Sequence, residues 1–253
     1  MPSGIKLISL NVEISEHLDR VLPFLEREMP DVACIQELNE EDIPRFSKAL
    51  GGVPGLFVPM GRHVRKGIAA VMGIGIFSRL PVKKQDVRYY EGTPGSLQDS
   101  DLDKPETYNL FNRAVAICDV EKEGTEFRIA TTHFTWSDRG EATDLQREKM
   151  RALLAILETQ GDFVLVGDFN APRGGEMFGM LAARYTDNIP PHYRTSLDIS
   201  LHRAGKTKPE ELSGKMVDGL FSTPGYAVSD VELIPGLSDH CALRATVTKA
   251  MSQ

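Results

Sequence analysis

Residues 163–172, FVLVGDFNAP, begin as an apolar run and end in polar residues. Phe163, Val164, Leu165 and Val166 have the composition of a buried strand. Gly167 follows, then Asp168 and Asn170 two positions apart, then Pro172. In an extended strand, positions i and i+2 face the same side. The spacing therefore predicts a carboxylate and an amide side by side at the carboxyl end of a core strand, where α/β proteins commonly place their sites. A carboxylate there binds a metal or accepts a proton, and an amide donates to a phosphate oxygen. The competing reading is an Asx-type turn, in which both side chains bond local backbone.

The same pattern recurs along the chain. Asn11 ends LISLN, Glu37 ends ACIQE and His133 ends RIATTH. Asp218 interrupts KMVDGLF, and Asp239 and His240 precede the last apolar run in GLSDHCAL. Taken singly, Asn11 reads equally as a turn residue and His133 as a structural histidine. Together they put Asn, Asp, Glu or His at six strand ends. Burying such groups is costly unless they are paired or bind a cation.

The rest of the chain sets the frame. Its 253 residues allow one large α/β domain or two small ones, and 41% apolar residues suffice for a substantial core. No apolar run is long enough to span a membrane, and MPSGIKLISLNV lacks the features of a secretory signal. The expectation is a soluble, cytoplasmic protein without stable membrane insertion. The net charge of −7 disfavours loose, charge-driven binding to nucleic acid but suits clustered carboxylates around a divalent cation. Cys34, Cys118 and Cys241 lie in apolar contexts with no CxxC spacing, so buried reduced thiols are expected.

Periodicity predicts strands at 6–12, 31–38, 69–79, 114–120, 126–134, 163–170, 215–222, 227–234 and 241–248. It predicts helices at 15–28, with Leu18, Leu22 and Leu25 on one face and Pro23 as a kink, at 42–50, and at 141–159. The last carries Leu145, Leu153, Ile156 and Leu157 inward, and Asp138 and Glu141 have capping-box spacing ahead of it. Residues 91–112 form the longest irregular stretch. No linker divides the chain, so a single domain over 1–253 is expected. Many strands and few helices suggest two sheets packed together with helices outside. DSDLDK at 99–104 has alternating aspartates but lacks the glycine and glutamate of a calcium loop, and GIG at 73–75 opens no helix.

In order, Asn11, Gln36-Glu37, GIGIFSR, Thr132-His133, GDFN, Asp218 and Ser238-Asp239-His240 resemble the motifs of the endonuclease/exonuclease/phosphatase superfamily, the deoxyribonuclease-I-like fold. The resemblance runs from residue 6 to about 248. It implies a four-layer α/β sandwich: two packed, mostly antiparallel β-sheets flanked by helices. It implies a divalent-metal-dependent phosphoric ester hydrolase, a phosphodiesterase or nuclease in type, using Mg²⁺ or Mn²⁺. Glu37 corresponds to the principal metal ligand, with Asn11 and Asp239 close by. Asp168 corresponds to the group that orients or deprotonates water, and Asn170 to a donor for a phosphoryl oxygen. His133 and His240 correspond to phosphate contacts, with Asp218 setting the charge and tautomer of His240.

A phosphodiester is anionic, so a cation that neutralises one oxygen and acidifies water removes the main barrier. Histidines supply protonated donors near neutral pH. Arg113, Trp136 and Arg194 are the candidate substrate contacts, with 91–112 and 190–212 as the segments that set specificity. The substrate is a phosphate ester, with nucleic acid or a small phosphodiester favoured over lipid. The alternatives are a phosphatase or lipid phosphodiesterase of the same superfamily, or a catalytically silent binding module. The complete residue set counts against the last.

Overall fold

In the computed structural model, residues 4–65, 67–101 and 103–250 are described. The strands are β1 Gly4–Asn11, β2 Val32–Asn39, β3 Gly55–Arg65, β4 Ile68–Ser78, β5 Val82–Glu91, β6 Asp99–Asp101, β7 Arg113–Lys122, β8 Thr125–His133, β9 Val164–Asp168, β10 Thr186–Asp187, β11 Asp218–Ser222, β12 Tyr226–Ile234 and β13 Ala242–Lys249. The helices are α1 Leu18–Glu28, α2 Ile43–Ala49, α3 Asp144–Leu157, α4 Glu176–Ala182 and α5 Pro209–Leu212. One sheet has the order β12-β13-β1-β2-β4-β3-β6, the other β10-β11-β9-β8-β7-β5. Most pairings are antiparallel; β1 with β2, β3 with β6 and β8 with β9 are parallel.

Strand alternation builds the layers. On β7, Ala114, Ala116, Cys118 and Val120 face the other sheet, while Val115 and Ile117 face the helix layer of α3 and α4. On β1, Ile5 and Leu7 point between the sheets, while Ile8 and Leu10 pack toward α1 and α2. The result is helix, sheet, sheet, helix, the four-layer sandwich expected. Buried Gln36 pins the layers together, its amide donating to Ser9 Oγ at 3.2 Å and across the gap to Thr131 Oγ1 at 2.9 Å.

Several local expectations change. Helix α3 starts at Asp144, capped by Thr143, whose side chain accepts from Gln146 N. Asp138 lies in a separate 3₁₀ turn, so the capping-box reading at 138 and 141 fails. Leu145 is exposed, and Gln146, Met150 and Leu154 join Leu153 and Leu157 on the buried face. Pro23 sits inside α1. The stretch 91–112 contains β6 and a 3₁₀ turn, Pro105–Leu110, and Asp99 and Asp101 pair with Arg62 and Lys104. Strands β3 and β5 escaped prediction because Pro54 and Pro59 punctuate the apolar part of β3, and β5 reads VKKQDVRYYE, half of it exposed. The three cysteines are free and buried.

Candidate metal and phosphate site

The polar residues at the strand ends continue the inward apolar stripes. Asn11 has the parity of Ile5 and Leu7, and His133 that of Phe127 and Ile129. Asp168 has the parity of Val164 and Val166, and Asp218 that of Leu220. On β1 and β8 the inward stripe turns polar one step earlier, at Ser9 and Thr131, which Gln36 bridges, and each strand reaches the rim between the sheets at a polar residue. Pairing sets these residues side by side: His133 and Asp218 are the register partners of Asp168 on either side.

Glu37 reaches the rim by a different device. Simple alternation would place it with Ile35, facing the helices. Instead β2 is bulged against β4 between Ile35 and Leu38, and Glu37 adopts a left-handed φ of 55°. Gln36 and Glu37 then both serve the inner side, and Leu38 returns to the helix-facing core. A non-glycine residue in this conformation is strained, and such strain clusters at functional sites. Gly167 is needed for a related reason: its φ is 146°, and a Cβ there would lie 2.0 Å from Thr132 O. The backbone passes too close to β8 for any side chain as it delivers Asp168.

Asp168 and Asn170 do not share a strand face, so the i, i+2 argument is corrected. Strand β9 ends at Asp168, Asn170 has a left-handed φ of 48°, and Asn170 N donates to Asp168 Oδ1 at 2.7 Å. This is the Asx turn. Asn170 Nδ2 donates to Phe134 O at 3.1 Å, and the residue still borders the cavity. The turn and the site are the same structure.

At the centre, Asn11 Nδ2 donates to Glu37 Oε1 and to Asp168 Oδ2, each at 3.1 Å, joining the two sheets. His133 Nε2 lies 3.5 Å from Asp168 Oδ2 and 3.8 Å from Glu37 Oε1. His240 Nδ1 lies 2.7 Å from Asp218 Oδ2, and its Nε2 is 3.8 Å from Asp168 Oδ2. Ser196, which sequence reasoning missed, accepts from the backbone N–H groups of Val217 and Asp218 and fixes that carboxylate behind the ring. Asp239 accepts from Ser238 Oγ at 3.2 Å and borders the cavity.

Burial dominates the electrostatics. It raises Glu37, with Asn11 and His240 only partly opposing it. It pushes Asp168 up to about 7, His240 opposing and Asp218 adding to the rise. Asp239 is raised by burial in the same way. Burial works against a charged His240, yet Asp218, Asp168 and Asp239 outweigh it and hold this ring well above the usual histidine value. His133 goes the other way: burial, then Arg113 and His240, keep it well below, so it is neutral. The expectation of two protonated histidines is thus corrected to one imidazolium and one neutral ring.

The donor set fits a hard divalent cation. Ligand atoms of Glu37, His133 and Asp168 lie within 4.8 Å of one another. Glu37, Asp168 and Asp239 are desolvated carboxylates crowded into one rim, and a cation relieves that cost directly.

The cavity over this cluster is about 480 Å³. Arg113 borders it; its side chain is buried and donates to His133 O and Tyr108 O, with Nε unpartnered. Trp136 also borders it, half-buried, edge-on to Tyr108 with ring centres 5.2 Å apart. Arg194 is exposed and outside the lining, so that expectation is corrected: from the same segment it is His202 and Arg203 that reach the cavity. Burial lowers His202 to about 4, leaving it uncharged. Glu13, also missed, lines the rim and is raised to about 7 by burial and by Asp239. A separate hollow of about 320 Å³ lies against β5 and β7, where Arg128 and Arg88 are already paired with Asp119 and Asp86.

Fold and site together define an α/β sandwich with a carboxylate–histidine cluster suited to a cation and an anionic substrate. The sequence pattern of the Endonuclease/Exonuclease/phosphatase family matches residues 8–240, and the chain belongs to that family. Its members are generally divalent-metal-dependent hydrolases of phosphate esters. Among solved structures, an endonuclease/exonuclease/phosphatase from Beutenbergia cavernae is 15% identical, with 98% of this chain and 72% of that one covered at a TM-score of 0.71. The human Nocturnin catalytic domain with bound sulfate is 18% identical, over 98% and 94%, at 0.68. A mannosyl-6-phosphatase from Bacteroides thetaiotaomicron is 13% identical, over 98% and 100%, at 0.65. At these identities the likeness concerns the fold. No curated protein matches. Among the described residues, no helix is long and apolar enough to cross a membrane.

Proposed function

We propose that the chain is a divalent-metal-dependent hydrolase of phosphate esters, acting as a phosphodiesterase of nuclease type through water attack at phosphorus. The observation that carries this reading is the convergence of Asp168, between His133 and Asp218 in one sheet, with Asn11 and Glu37 of the other. Glu37, Asn11 and Asp239 would hold Mg²⁺ or Mn²⁺, which supplies charge neutralisation for the phosphate and a more acidic water.

The chain's own residues divide the remaining work. Asp168, poised near neutrality, accepts a proton as water attacks phosphorus and the ester P–O bond breaks. His240, held charged by Asp218, donates from Nε2 to a phosphoryl oxygen as negative charge builds there. Neutral His133 donates from Nε2, the nitrogen that faces the carboxylates. Asn170 is held by its turn at the edge of the same cavity. Arg113, buried with no carboxylate bound to it among the described residues, adds positive charge behind the phosphate position.

A hydrolysis panel tests the proposal. Plasmid DNA, abasic duplex, single-stranded DNA and RNA, bis(p-nitrophenyl) phosphate, an inositol phospholipid and sphingomyelin are each incubated with Mg²⁺, Mn²⁺ or EDTA. The expected result is cleavage abolished by EDTA, with His240→Ala slower by roughly 10²–10³-fold. Cleavage insensitive to EDTA, or a near-native rate in that variant, contradicts the assignment.

A further inference from the structure

Three segments outside the strand-end motifs meet on one wall of the cavity. Tyr108 comes from the β6–β7 connection, Trp136 from the turn after β8, and Arg203 from the excursion between β10 and α5. Tyr108 and Trp136 meet edge to face at 5.2 Å. The Arg203 guanidinium lies 5.9 Å from the Tyr108 ring centre and donates to its hydroxyl at 3.3 Å. Among the described residues no carboxylate pairs with Arg203, which is unusual beside so many acids. Glu13 and Glu16, from the β1–α1 connection, also border the cavity, and Glu16 pairs with Arg65.

From this wall we infer that the enzyme recognises a nucleobase-bearing phosphate ester of nucleotide size, the ring held by Trp136 and Tyr108 and a second anionic group held by Arg203. The inference rests on the proposed hydrolase reading of the neighbouring cluster. An aromatic face stacks on any nucleobase, because every base presents a π-face. A fork-shaped guanidinium beside them, with no carboxylate partner among the described residues, suits phosphate or carboxylate. The cavity of about 480 Å³ matches a small ligand. The net charge of −7 disfavours loose, charge-driven binding of a long duplex. Tyr108, Trp136 and Arg203 are therefore specificity-determining residues.

Trp136 is the single tryptophan of the chain, so its fluorescence reports this wall and nothing else. The test titrates the full protein, with Mg²⁺, using adenosine 5′-(α,β-methylene)diphosphate, and in parallel ribose 5-phosphate and pyrophosphate. Excitation at the red edge of the tryptophan band avoids purine absorption. The expected result is saturable quenching by the nucleotide and little by the ring-free phosphates. Arg203→Ala and Tyr108→Leu should each weaken nucleotide affinity by about tenfold. Absence of quenching, or equal response to ribose 5-phosphate, overturns the subsite. Hydrolysis of bis(p-nitrophenyl) phosphate, followed separately, decides whether the hydrolase reading survives that failure.

Discussion

Glu37 shows how a single residue trades stability for chemistry. Its left-handed backbone and partly buried carboxylate both disfavour the fold, and among the described residues the hydrogen bond to that carboxylate is the one from Asn11. Glu37→Gln keeps the shape and removes the charge. We expect the metal-free variant to melt higher by about 2–4 °C, the equivalent of roughly 1 kcal/mol, and to lose divalent-cation affinity. Differential scanning fluorimetry with and without Mn²⁺ measures both. A lower melting point in the metal-free variant would mean that the carboxylate is structural. Nothing in the sequence announced the bulge that presents Glu37; period-two alternation alone assigns it to the wrong face. Asp168 and Asn170 teach the complementary lesson. The motif was legible, but the strand ends at Asp168, two residues short of Asn170, and the Asx turn takes over.

Among elements, the strand ends were legible in the sequence because apolar runs close on Asn11, Glu37, His133 and Asp168. Strands β3 and β5 were not legible, since prolines interrupt the apolar part of β3 and half-exposed β5 carries no continuous hydrophobic signal. The segments that build the Arg203 wall were marked as specificity candidates, but their convergence was not legible because it depends on the whole fold. Helix α1 offers a test of how an element is fastened to its sheet. Glu28 Oε2 receives Lys6 Nζ of β1 and Arg244 Nη1 of β13, each at 2.8 Å. These contacts, the Lys6 hydrogen bond first, lower Glu28 from 4.5 to about 2. A depressed carboxyl stabilises fully above its unfolded value and loses that contribution as pH falls through the folded one. Glu28→Gln should therefore cost roughly 1 kcal/mol near neutrality and flatten the stability profile between about pH 4.5 and 2. Unchanged acid unfolding would show that α1 is held by its apolar face alone.

Across the whole molecule, the site closes the rim of the sandwich, so cation binding reports on the packing of both sheets. Asp168, Glu37 and Asp239 are raised in the folded chain, and His240 is raised as well. Groups raised on folding stabilise fully below their unfolded values and lose that contribution as pH rises through the folded ones. For Asp168 the window runs from 3.8 to about 7. The metal-free protein therefore loses this contribution toward alkaline pH, where deprotonated carboxylates bind a cation best. Saturating Mg²⁺ should raise the melting temperature more at about pH 8 than at about pH 5.5, by the equivalent of about 2.7 kcal/mol at a hundredfold excess over Kd. A larger gain at the acidic pH would place cation binding elsewhere.

The central claim is that this rim is one hydrolytic centre in which Asp168 handles the water. The most direct measurement is turnover of bis(p-nitrophenyl) phosphate by wild-type and Asp168→Asn protein, each with Mn²⁺ and with EDTA. The account predicts EDTA-sensitive turnover in the wild type and loss by roughly three orders of magnitude or more in a variant that still folds. Wild-type rates in Asp168→Asn would contradict it.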